Sequence, residues 1–589
     1  MNVTQTILEN CPYRKHAPAL HFKENNQWKS YSWEEFHDLI AQTANALKEL
    51  GVVPGENVAI FADNMPQWII TDLAIISIGA VTVPIYATST SEQAKYIIDE
   101  AQIKVALAGN QKQYDRLIEL YAQETPLEHI IAAKKSVKLK SKFSHYFDDW
   151  IKDQSKELTI FPRENDDVAS IIYTSGTTGE PKGAILTHQN FINVFDSHIR
   201  FFNFSPEKQK ENSLAFLPLT HVFERCWTLF VLYCGWEVSI SEDPKEIAQT
   251  LKEVKPTTMC SVPRFFQKIY IAVNEKIENS SIIARKMFRW SISVGSRVSE
   301  LKRTGKKIPP FLAFRYLLAK KLAFKKVKEQ VGGNLWFMPV GGASITPDIT
   351  RFFDAIGIHL TVGYGLTETT ATVTAFPFVN YKHGTAGQPM TGVQIKIGED
   401  DEILVKGNGI FKGYYKKEEE TRKAFTEDGW FKTGDAGVID KEGNLVIVDR
   451  IKDLMKTSNG KYITPQLIEN LLTNDNYIQQ AVIIGDDKPY VTALLVPNFE
   501  ALKTYAEEKL NLKFKSLEEL INIQKIKDFY TERINAIQVH LAGFEQIKKF
   551  RLLPTDFSME LGEITPTLKV RRKIVFEKFN YLIEDMYIH

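Results

Sequence analysis

The stretch from Tyr173 to Gly183, which reads YTSGTTGEPKG, constrains the fold more than any other part of this sequence. It follows the apolar run 168–172, which predicts a buried strand that leads into a turn. Glycines leave the backbone N–H groups free to approach an anion, and hydroxyls with one ammonium group add further donors. The pattern therefore predicts a loop that wraps a polyphosphate, with contacts from Thr174, Ser175, Gly176, Thr177, Thr178, Gly179 and Lys182.

This loop differs from the Walker pattern G-x-x-x-x-G-K-[ST], because Lys182 is followed by Gly183 and not by a hydroxyl residue. It also contains more hydroxyls than that pattern requires. A flexible Gly/Ser/Thr turn without a ligand is the alternative, and it would explain any three of these residues. It explains the complete string in this order less well than a phosphate loop does.

Alternating helix and strand patterns precede the loop and predict an α/β fold with parallel strands joined by crossover helices. At 589 residues, the chain is too long for one ordinary core and should form several subdomains. The residue patterns favour helices over 33–50, capped by Ser32, and over 67–78, and strands over 57–61, 80–85, 105–108 and 129–132.

The composition excludes several classes of protein. Lys and Arg number 73 against 72 Asp and Glu, so the chain has no electrostatic signature of nucleic-acid binding. Its four cysteines show neither CxxC nor metal-ligand spacing, which favours reduced thiols in the cytoplasm and no structural metal site. The N-terminus lacks the order of a signal peptide, and the most apolar stretch, 73–87, is too short to cross a bilayer.

A second pattern, TVGYGLTETT, occupies residues 361–370. Tyr364 offers an aromatic face for a base, and Gly365 allows a tight turn behind it. Thr367 supplies a hydroxyl, and Glu368 supplies a hard oxygen ligand suited to Mg²⁺ that is held jointly with phosphates. An earlier segment, LWFMPVGGAS at 335–344, predicts a strand that ends in small residues, namely Gly341, Gly342 and Ala343. These would let a planar ring approach the backbone.

These two patterns resemble those of the adenylate-forming acyl-CoA synthetases, and the resemblance covers nearly the whole chain. It implies ATP binding with Mg²⁺, activation of a carboxylate as an acyl adenylate, and coenzyme A as the thiol. It also implies a large N-terminal domain, 1–450, built from parallel-rich sheets, helices and a β subdomain. A small, mobile α+β C-terminal domain would follow over 451–589.

Further residues take their predicted roles from the same resemblance. Asp435 follows Gly434 in a tight turn, where a carboxylate can accept both ribose hydroxyls. Arg450 is a second candidate contact for the ribose or a phosphate. The segment that begins at Ile451 resembles the hinge between the two domains of this family, with Lys452 at the hinge position. Lys456 matches a lysine that some relatives use in the second half-reaction, and a solvated lysine is the alternative for both.

The segment LGEITPTLKVRRKIV, 561–575, resembles the loop that carries the adenylation lysine of the family. Lys569 matches that lysine, although Leu568 stands where the commoner form has glycine. The long-chain branch shares this departure. A basic tail without a catalytic role is the alternative.

The string HVFER, 221–225, lies in an apolar segment. A histidine on such a segment is usually a satisfied core group. The segment resembles the long-chain branch of the family, where this string marks the floor of the acyl site, so we predict that His221 lines the pocket. Trp227 fits either the pocket or the core.

Residues 285–330 are strongly basic, with fourteen Lys and Arg against two Glu. A solvated helical hairpin broken at Pro309-Pro310 would explain the charge. A basic amphipathic face would instead rest on anionic lipid, at the inner face of the membrane, and receive a fatty substrate there. Similar insertions in long-chain members favour the membrane. Aromatic residues are interleaved with the cations at Phe288, Trp290, Phe311, Phe314, Tyr316 and Phe324.

The resemblance therefore predicts a long-chain fatty acid–CoA ligase that releases AMP and pyrophosphate. Its catalytic groups would be Lys182, Thr178, Glu368 and Lys569. Three alternatives remain: an adenylating enzyme that loads a separate carrier protein, a luciferase-like oxygenase, and a membrane-associated fatty-acid binder without catalysis. The presence of Lys182, Glu368, Asp435 and Lys569 argues against the last of these.

Overall fold

The computed structural model describes residues 2–123, 125–164, 166–174, 180–458, 461–558, 561–564 and 570–588. The strands are β1 Pro18–Glu24, β2 Gln27–Ser32, β3 Asn57–Phe61, β4 Val81–Ile85, β5 Val105–Ala108, β6 His129–Ala132, β7 Ser144–Tyr146, β8 Val168–Thr174, β9 Lys182–Thr187, β10 Asn212–Ala215, β11 Glu237–Ile240, β12 Phe337–Val340, β13 His359–Tyr364, β14 Thr374–Ala375, β15 Gln388–Pro389, β16 Val393–Ile397, β17 Glu402–Gly407, β18 Gly413–Tyr414, β19 Phe431–Ile439, β20 Leu445–Arg450, β21 Met455–Lys456, β22 Tyr462–Ile463, β23 Ile478–Ile484, β24 Val491–Pro497 and β25 Ile547–Leu552.

The α-helices are α1 Val3–Leu8, α2 Cys11–Arg14, α3 Trp33–Glu49, α4 Pro66–Ser77, α5 Ser91–Ala101, α6 Gln111–Tyr121, α7 Phe147–Ile151, α8 His188–Phe202, α9 Val222–Tyr233, α10 Ile247–Val254, α11 Pro263–Glu278, α12 Ile282–Arg303, α13 Pro310–Ala319, α14 Lys325–Gln330, α15 Pro347–Ile356, α16 Glu418–Lys423, α17 Pro465–Thr473, α18 Phe499–Glu508, α19 Leu517–Asn522, α20 Gln524–Ile537, α21 Arg572–Lys578 and α22 Asn580–Tyr587. A π-helical turn, Lys320–Phe324, joins α13 to α14. Among the described residues, no helix is both long and apolar enough to cross a bilayer.

The largest sheet has eight strands in the order β18-β9-β8-β4-β3-β5-β6-β7. The six strands from β8 to β7 are parallel, as the alternating sequence patterns predicted. The other two are antiparallel, because β8 and β9 form a hairpin around the predicted phosphate loop and β18 pairs with β9. The sheet is therefore mixed, and the hairpin brings a later segment of the chain, β18, to its edge.

The smaller sheets complete an α/β architecture, and the predicted fold class is confirmed. Two mixed four-stranded sheets have the orders β10-β11-β1-β2 and β12-β13-β14-β15, and β16-β17-β19-β20 forms the antiparallel β subdomain. In the C-terminal part, β23 and β24 form an antiparallel hairpin, and β25 lies parallel to β24. The β subdomain ends with β20 and the next strand is β21, so the predicted boundary at 450/451 falls between two sheets and stays a prediction.

Helix ends follow the capping residues in the sequence. The Ser32 hydroxyl accepts a hydrogen bond from the Glu35 N–H at 3.2 Å, and the Glu35 carboxylate accepts one from the Ser32 N–H at 2.8 Å. This reciprocal capping box satisfies two donors at the start of α3, which explains why the helix begins at Trp33 as predicted.

A buried ion pair fixes α9 against the large sheet. The Arg225 guanidinium donates to both carboxylate oxygens of Asp72, at 2.9 and 2.6 Å, and to the Ser170 hydroxyl at 2.6 Å. The rings of Trp68 and Phe191 lie 5.7 and 5.5 Å from the guanidinium carbon. Because both charges are buried and hydrogen-bonded to one another, α4, α9 and β8 are held in one arrangement.

Candidate active site

The hairpin of β8 and β9 positions the two ends of the predicted phosphate loop. Thr174 and Lys182 are direct partners in its register, and the Thr174 hydroxyl donates to the Lys182 carbonyl oxygen at 3.3 Å. The loop residues between them that we predicted to contact phosphates lie outside the described residues, namely Ser175, Gly176, Thr177, Thr178 and Gly179. Their roles stay predictions, whereas the position of Lys182 can be described.

Lys182 lies at the start of β9, where its ammonium group forms an ion pair with Glu420. The same ammonium lies 5.2 Å from the centre of the Tyr414 ring, at a distance suited to a cation–π contact. Hydrogen bonding to Lys182 lowers the pKa of the Glu420 carboxyl, so this carboxyl stays ionised. A triphosphate that is to bind Lys182 must therefore compete with Glu420 for the ammonium group.

Glu368 contacts the hydroxyl group of Tyr414, whereas Lys182 contacts the ring. Glu368 belongs to the 3₁₀ turn Thr367–Thr369, which follows β13. The Tyr414 hydroxyl donates to Glu368 Oε1 at 2.9 Å. Burial, together with the nearby Glu368 charge, raises the pKa of Tyr414, so the hydroxyl stays protonated and keeps its proton for this bond. One tyrosine thus contacts both the predicted phosphate lysine and the predicted magnesium ligand.

The carboxylates at this site fit a magnesium ion that takes most of its ligands from a bound triphosphate and from water. Among the described residues, no group of three or more His, Cys, Asp and Glu is placed to hold a metal ion. Mg²⁺ commonly takes only one or two carboxylates and completes its octahedral shell with phosphate oxygens and water. Tyr414 engages one oxygen of Glu368, and a carboxylate has a second oxygen that can bind the ion.

Tyr364, Asp435 and Arg450, predicted to contact the base and the ribose, form a second cluster. The Tyr364 hydroxyl donates to Asp435 Oδ2 at 2.6 Å, and Arg450 Nε lies 3.4 Å from Asp435 Oδ1. Asp435 and Arg450 are partners across β19 and β20. Gly365 follows Tyr364 where a Cβ atom would lie 1.8 Å from the Ala371 carbonyl oxygen, so a side chain cannot be accommodated there. The three polar side chains are thus brought together from two sheets.

His221 is placed by its hydrogen bond to the first turn of α9. It precedes α9, and its Nδ1 accepts a hydrogen bond from the Phe223 N–H at 3.2 Å. The Phe223 ring would lie 3.5 Å from a Cβ atom on Gly341. The adjoining Gly342, with φ +85°, and Ala343 are exposed. Phe223 therefore lies beside the surface predicted to receive the base, and the pocket-lining role of His221 stays a prediction.

The remaining residues of the HVFER segment point away from this surface. Glu224 and Arg225 are completely buried. The indole N–H of Trp227 donates to the Ser213 hydroxyl at 2.9 Å, and its ring packs against Phe230. The sequence allowed Trp227 to lie either in the pocket or in the core, and its packing is that of a core residue.

The predicted lysines of the C-terminal part are spread over three segments. Lys452 is exposed in the turn after β20, where the N–H groups of Asp453 and Leu454 donate to the Arg450 carbonyl at 3.0 Å. Lys456 is exposed on β21. Lys569 lies outside the described residues. The roles of all three lysines stay predictions.

The C-terminal part touches the glycine-rich turn directly. Asn470 on α17 donates to the Ser344 hydroxyl at 2.5 Å, next to Ala343. Arg264 on α11 donates to the carbonyl oxygens of Thr473 and Gln479, at 3.1 and 3.2 Å. A movement of the C-terminal part would have to break these contacts, which lie at one edge of the candidate site.

The sequence reasoning missed Tyr414 and Glu420. Tyr414 belongs to the string GNGIFKGYY, 407–415, which extends the resemblance and was the available signal. Glu420 is the last of three consecutive glutamates, and nothing in the sequence distinguishes it from Glu418 or Glu419.

The fold and these clusters define an α/β nucleotide-binding enzyme with a separate C-terminal part. The family described as AMP-binding enzyme matches residues 8–415, and the family described as AMP-binding enzyme C-terminal domain matches residues 452–589. The chain belongs to the AMP-binding enzyme family.

Relatives agree with this assignment along nearly the whole chain. Long-chain-fatty-acid–CoA ligase FadD15 of Mycobacterium bovis is 32% identical, over 95% of this chain and 92% of that protein. Long-chain-fatty-acid–CoA ligase 5 of Rattus norvegicus is 31% identical, over 97% and 86%. Anthranilate CoA ligase AuaEII, solved with anthranoyl-AMP, has the same fold, with a TM-score of 0.74, 18% identity and coverage of 99% and 98%. The resemblance to adenylate-forming acyl-CoA synthetases is confirmed.

The ion pair between Lys182 and Glu420 predicts a change in ATP affinity. Replacing Glu420→Gln removes the competitor for the ammonium group, so the KM for ATP should fall about two- to fivefold, the range expected for a partly exposed ion pair. Steady-state kinetics with ATP as the varied substrate measures this effect. The matched control, Glu419→Gln, makes the same charge change one residue away and should leave the KM unchanged. Equal effects of the two variants would contradict a specific role for Glu420.

Proposed function

We propose that this chain is a long-chain fatty acid–CoA ligase. It would join ATP and a long-chain fatty acid to form an acyl adenylate and pyrophosphate, and then transfer the acyl group to coenzyme A with release of AMP. The observation that carries the proposal is that Tyr414 contacts Lys182 and Glu368, which come from two separate sequence patterns. The names of the relatives support long-chain fatty acids as the substrate and coenzyme A as the thiol.

The first step brings an anionic carboxylate to an anionic triphosphate, so the enzyme must neutralise charge. Lys182 would bind phosphate oxygens after it leaves Glu420. Glu368, oriented by Tyr414, would hold Mg²⁺, which when bound reduces the negative charge of the phosphates. Lys569 and the hydroxyl of Thr178 are proposed as further donors. Removing one such preorganised contact typically costs about 3 kcal/mol of transition-state stabilisation.

The nucleotide would be oriented by the second cluster. The Tyr364 ring would contact adenine, while Asp435 would accept the ribose hydroxyls with Arg450 beside it. Gly342, Ala343, Gly365 and Thr367 would form the surrounding backbone and hydroxyl contacts. Asp435 is held by Tyr364 and Arg450, so its carboxylate would need little reorganisation to accept the ribose hydroxyls.

The fatty acid would approach this nucleotide from the side of His221 and Phe223. Its carboxylate oxygen would attack the α-phosphorus and pyrophosphate would leave. The thiolate of coenzyme A would then attack the acyl carbonyl carbon and expel AMP. The partners proposed for the chain are therefore the fatty acid, ATP and coenzyme A, together with an anionic membrane contacted through 285–330, and nucleic acid is not among them.

Release of AMP tests the proposal directly. With ATP, Mg²⁺, palmitate and coenzyme A, we expect AMP release well above that with acetate or benzoate, because the chain should select a long acyl group. Omitting coenzyme A should stop turnover after the adenylate has formed. Turnover without coenzyme A but with an acyl carrier protein would instead identify a carrier-loading enzyme. No AMP release with any acid would contradict a catalytic role.

The proposed hinge predicts an effect on one half-reaction. Replacing Lys452→Pro restricts the backbone in the turn after β20, so the C-terminal part should reorient more slowly and acyl transfer to coenzyme A should fall about tenfold or more. Pyrophosphate release in a single turnover should change little. The control, Lys452→Ala, removes the side chain and leaves the backbone unrestricted. An equal loss in both half-reactions would show that Lys452 is not at the hinge.

A further inference from the structure

The helix α13 and the π-helical turn that follows it carry a row of large apolar side chains on their outer surface. Phe311, Phe314 and Leu317 expose 72%, 59% and 62% of their surface, and Leu318 and Leu322 expose 39% and 43%. Phe311, Phe314 and Leu318 are spaced by three and four residues, so they lie on one face of the helix. Exposed apolar side chains are ordinary when they are scattered, but a contiguous group on one helix indicates a binding surface.

The opposite face of the same segment is packed into the protein. Tyr316, Ala319 and Phe324 are buried in one apolar cluster, which also contains Phe288 of α12. Of the six aromatic residues that the sequence interleaves with cations, Phe288, Tyr316 and Phe324 belong to the core. Trp290 is half-buried against it, while Phe311 and Phe314 face outward. The exposed row is consequently held on a packed helical support and not on a loose loop.

Cations surround the exposed row. Lys306, Lys307, Lys320, Lys321, Lys325 and Lys326 are all exposed. Within the described part of the chain, Lys321 and Lys326 have no carboxylate within ion-pair distance, and Lys325 has only Glu329, at 3.9 Å. Because the whole chain has a net charge of only +1, the excess of positive charge in this region is offset by negative charge elsewhere in the chain.

We propose that the outer face of α13 and of the π-helical turn after it inserts into the interface of an anionic lipid bilayer. This face is defined by Phe311, Phe314, Leu317, Leu318 and Leu322. The apolar side chains would enter the boundary between headgroups and acyl chains, and the surrounding lysines would bind anionic headgroups. This narrows the proposed membrane contact from residues 285–330 to one face of α13 and of that turn. It follows from exposure and charge and does not depend on the ligase reaction.

A shared apolar cluster connects α13 with the strands of the candidate active site. The apolar cluster that buries Tyr316 and Phe324 also contains Val340 of β12 and Val362 of β13. These two strands lead into the glycine-rich turn and into Tyr364. The helix α13 and the strands of the candidate site are therefore packed on the same apolar cluster.

Flotation of the full chain with lipid vesicles tests this surface. The protein should float with phosphatidylcholine vesicles that contain phosphatidylglycerol and much less with pure phosphatidylcholine, and added salt should weaken the binding. The double variants Phe311→Ser/Phe314→Ser and Lys321→Glu/Lys325→Glu should each reduce binding about tenfold or more, since they remove the inserted rings or reverse the attracted charges.

The matched control is Val438→Ser/Val448→Ser, which removes two apolar side chains of 46% and 42% exposure from the β subdomain. It should bind vesicles as the unaltered chain does. Circular dichroism verifies that each variant is folded, and AMP release with detergent-dispersed palmitate reports the ligase reaction separately from membrane binding. Undiminished flotation of the Phe311→Ser/Phe314→Ser variant would overturn the proposal. The proposal would also be overturned if the unaltered chain failed to bind vesicles but formed a concentration-dependent dimer that the Phe311→Ser/Phe314→Ser variant abolished. A second copy of the chain would then cover this face.

Discussion

The contact that the candidate site depends on is that of Tyr414 with two oppositely charged groups. Its hydroxyl holds Glu368 and its ring faces the ammonium of Lys182. This is possible only because the short strand β18 pairs with β9 at the edge of the large sheet. The antiparallel β8–β9 hairpin thereby brings Lys182 and the predicted magnesium ligand, Glu368, to one side chain.

The second constraint is the buried ion pair of Arg225 and Asp72, which fixes α9 against the large sheet. Two buried charges are stable only when each satisfies the other, so the start of α9 is held in one position relative to the sheet. Phe223 then lies beside the glycine-rich turn, while Glu224 and Trp227 are buried in the core. The string HVFER thus contains Phe223, which borders the glycine-rich turn, and buried residues that fix the helix.

Much of the fold could be predicted from local patterns. The strands at 57–61, 105–108 and 129–132 and the capped helix at Trp33 follow from apolar periodicity and from side chains that bond to neighbouring backbone. Contacts between distant segments could not be predicted this way, because they depend on tertiary packing. Glu420 pairs with Lys182, which is distant in sequence. Phe311 faces outward while Phe324 is buried, and the local sequence around the two residues does not distinguish them.

Palmitate-dependent exchange of pyrophosphate into ATP, without coenzyme A, tests the central claim most directly, because it reports adenylate formation alone. We predict exchange in the unaltered protein and a loss of roughly hundredfold or more in Glu368→Gln, which keeps a hydrogen-bond acceptor for Tyr414 but removes the charge that would hold Mg²⁺. Undiminished exchange in this variant, with the protein folded, would contradict the assignment of Glu368 and of the cluster built on Tyr414.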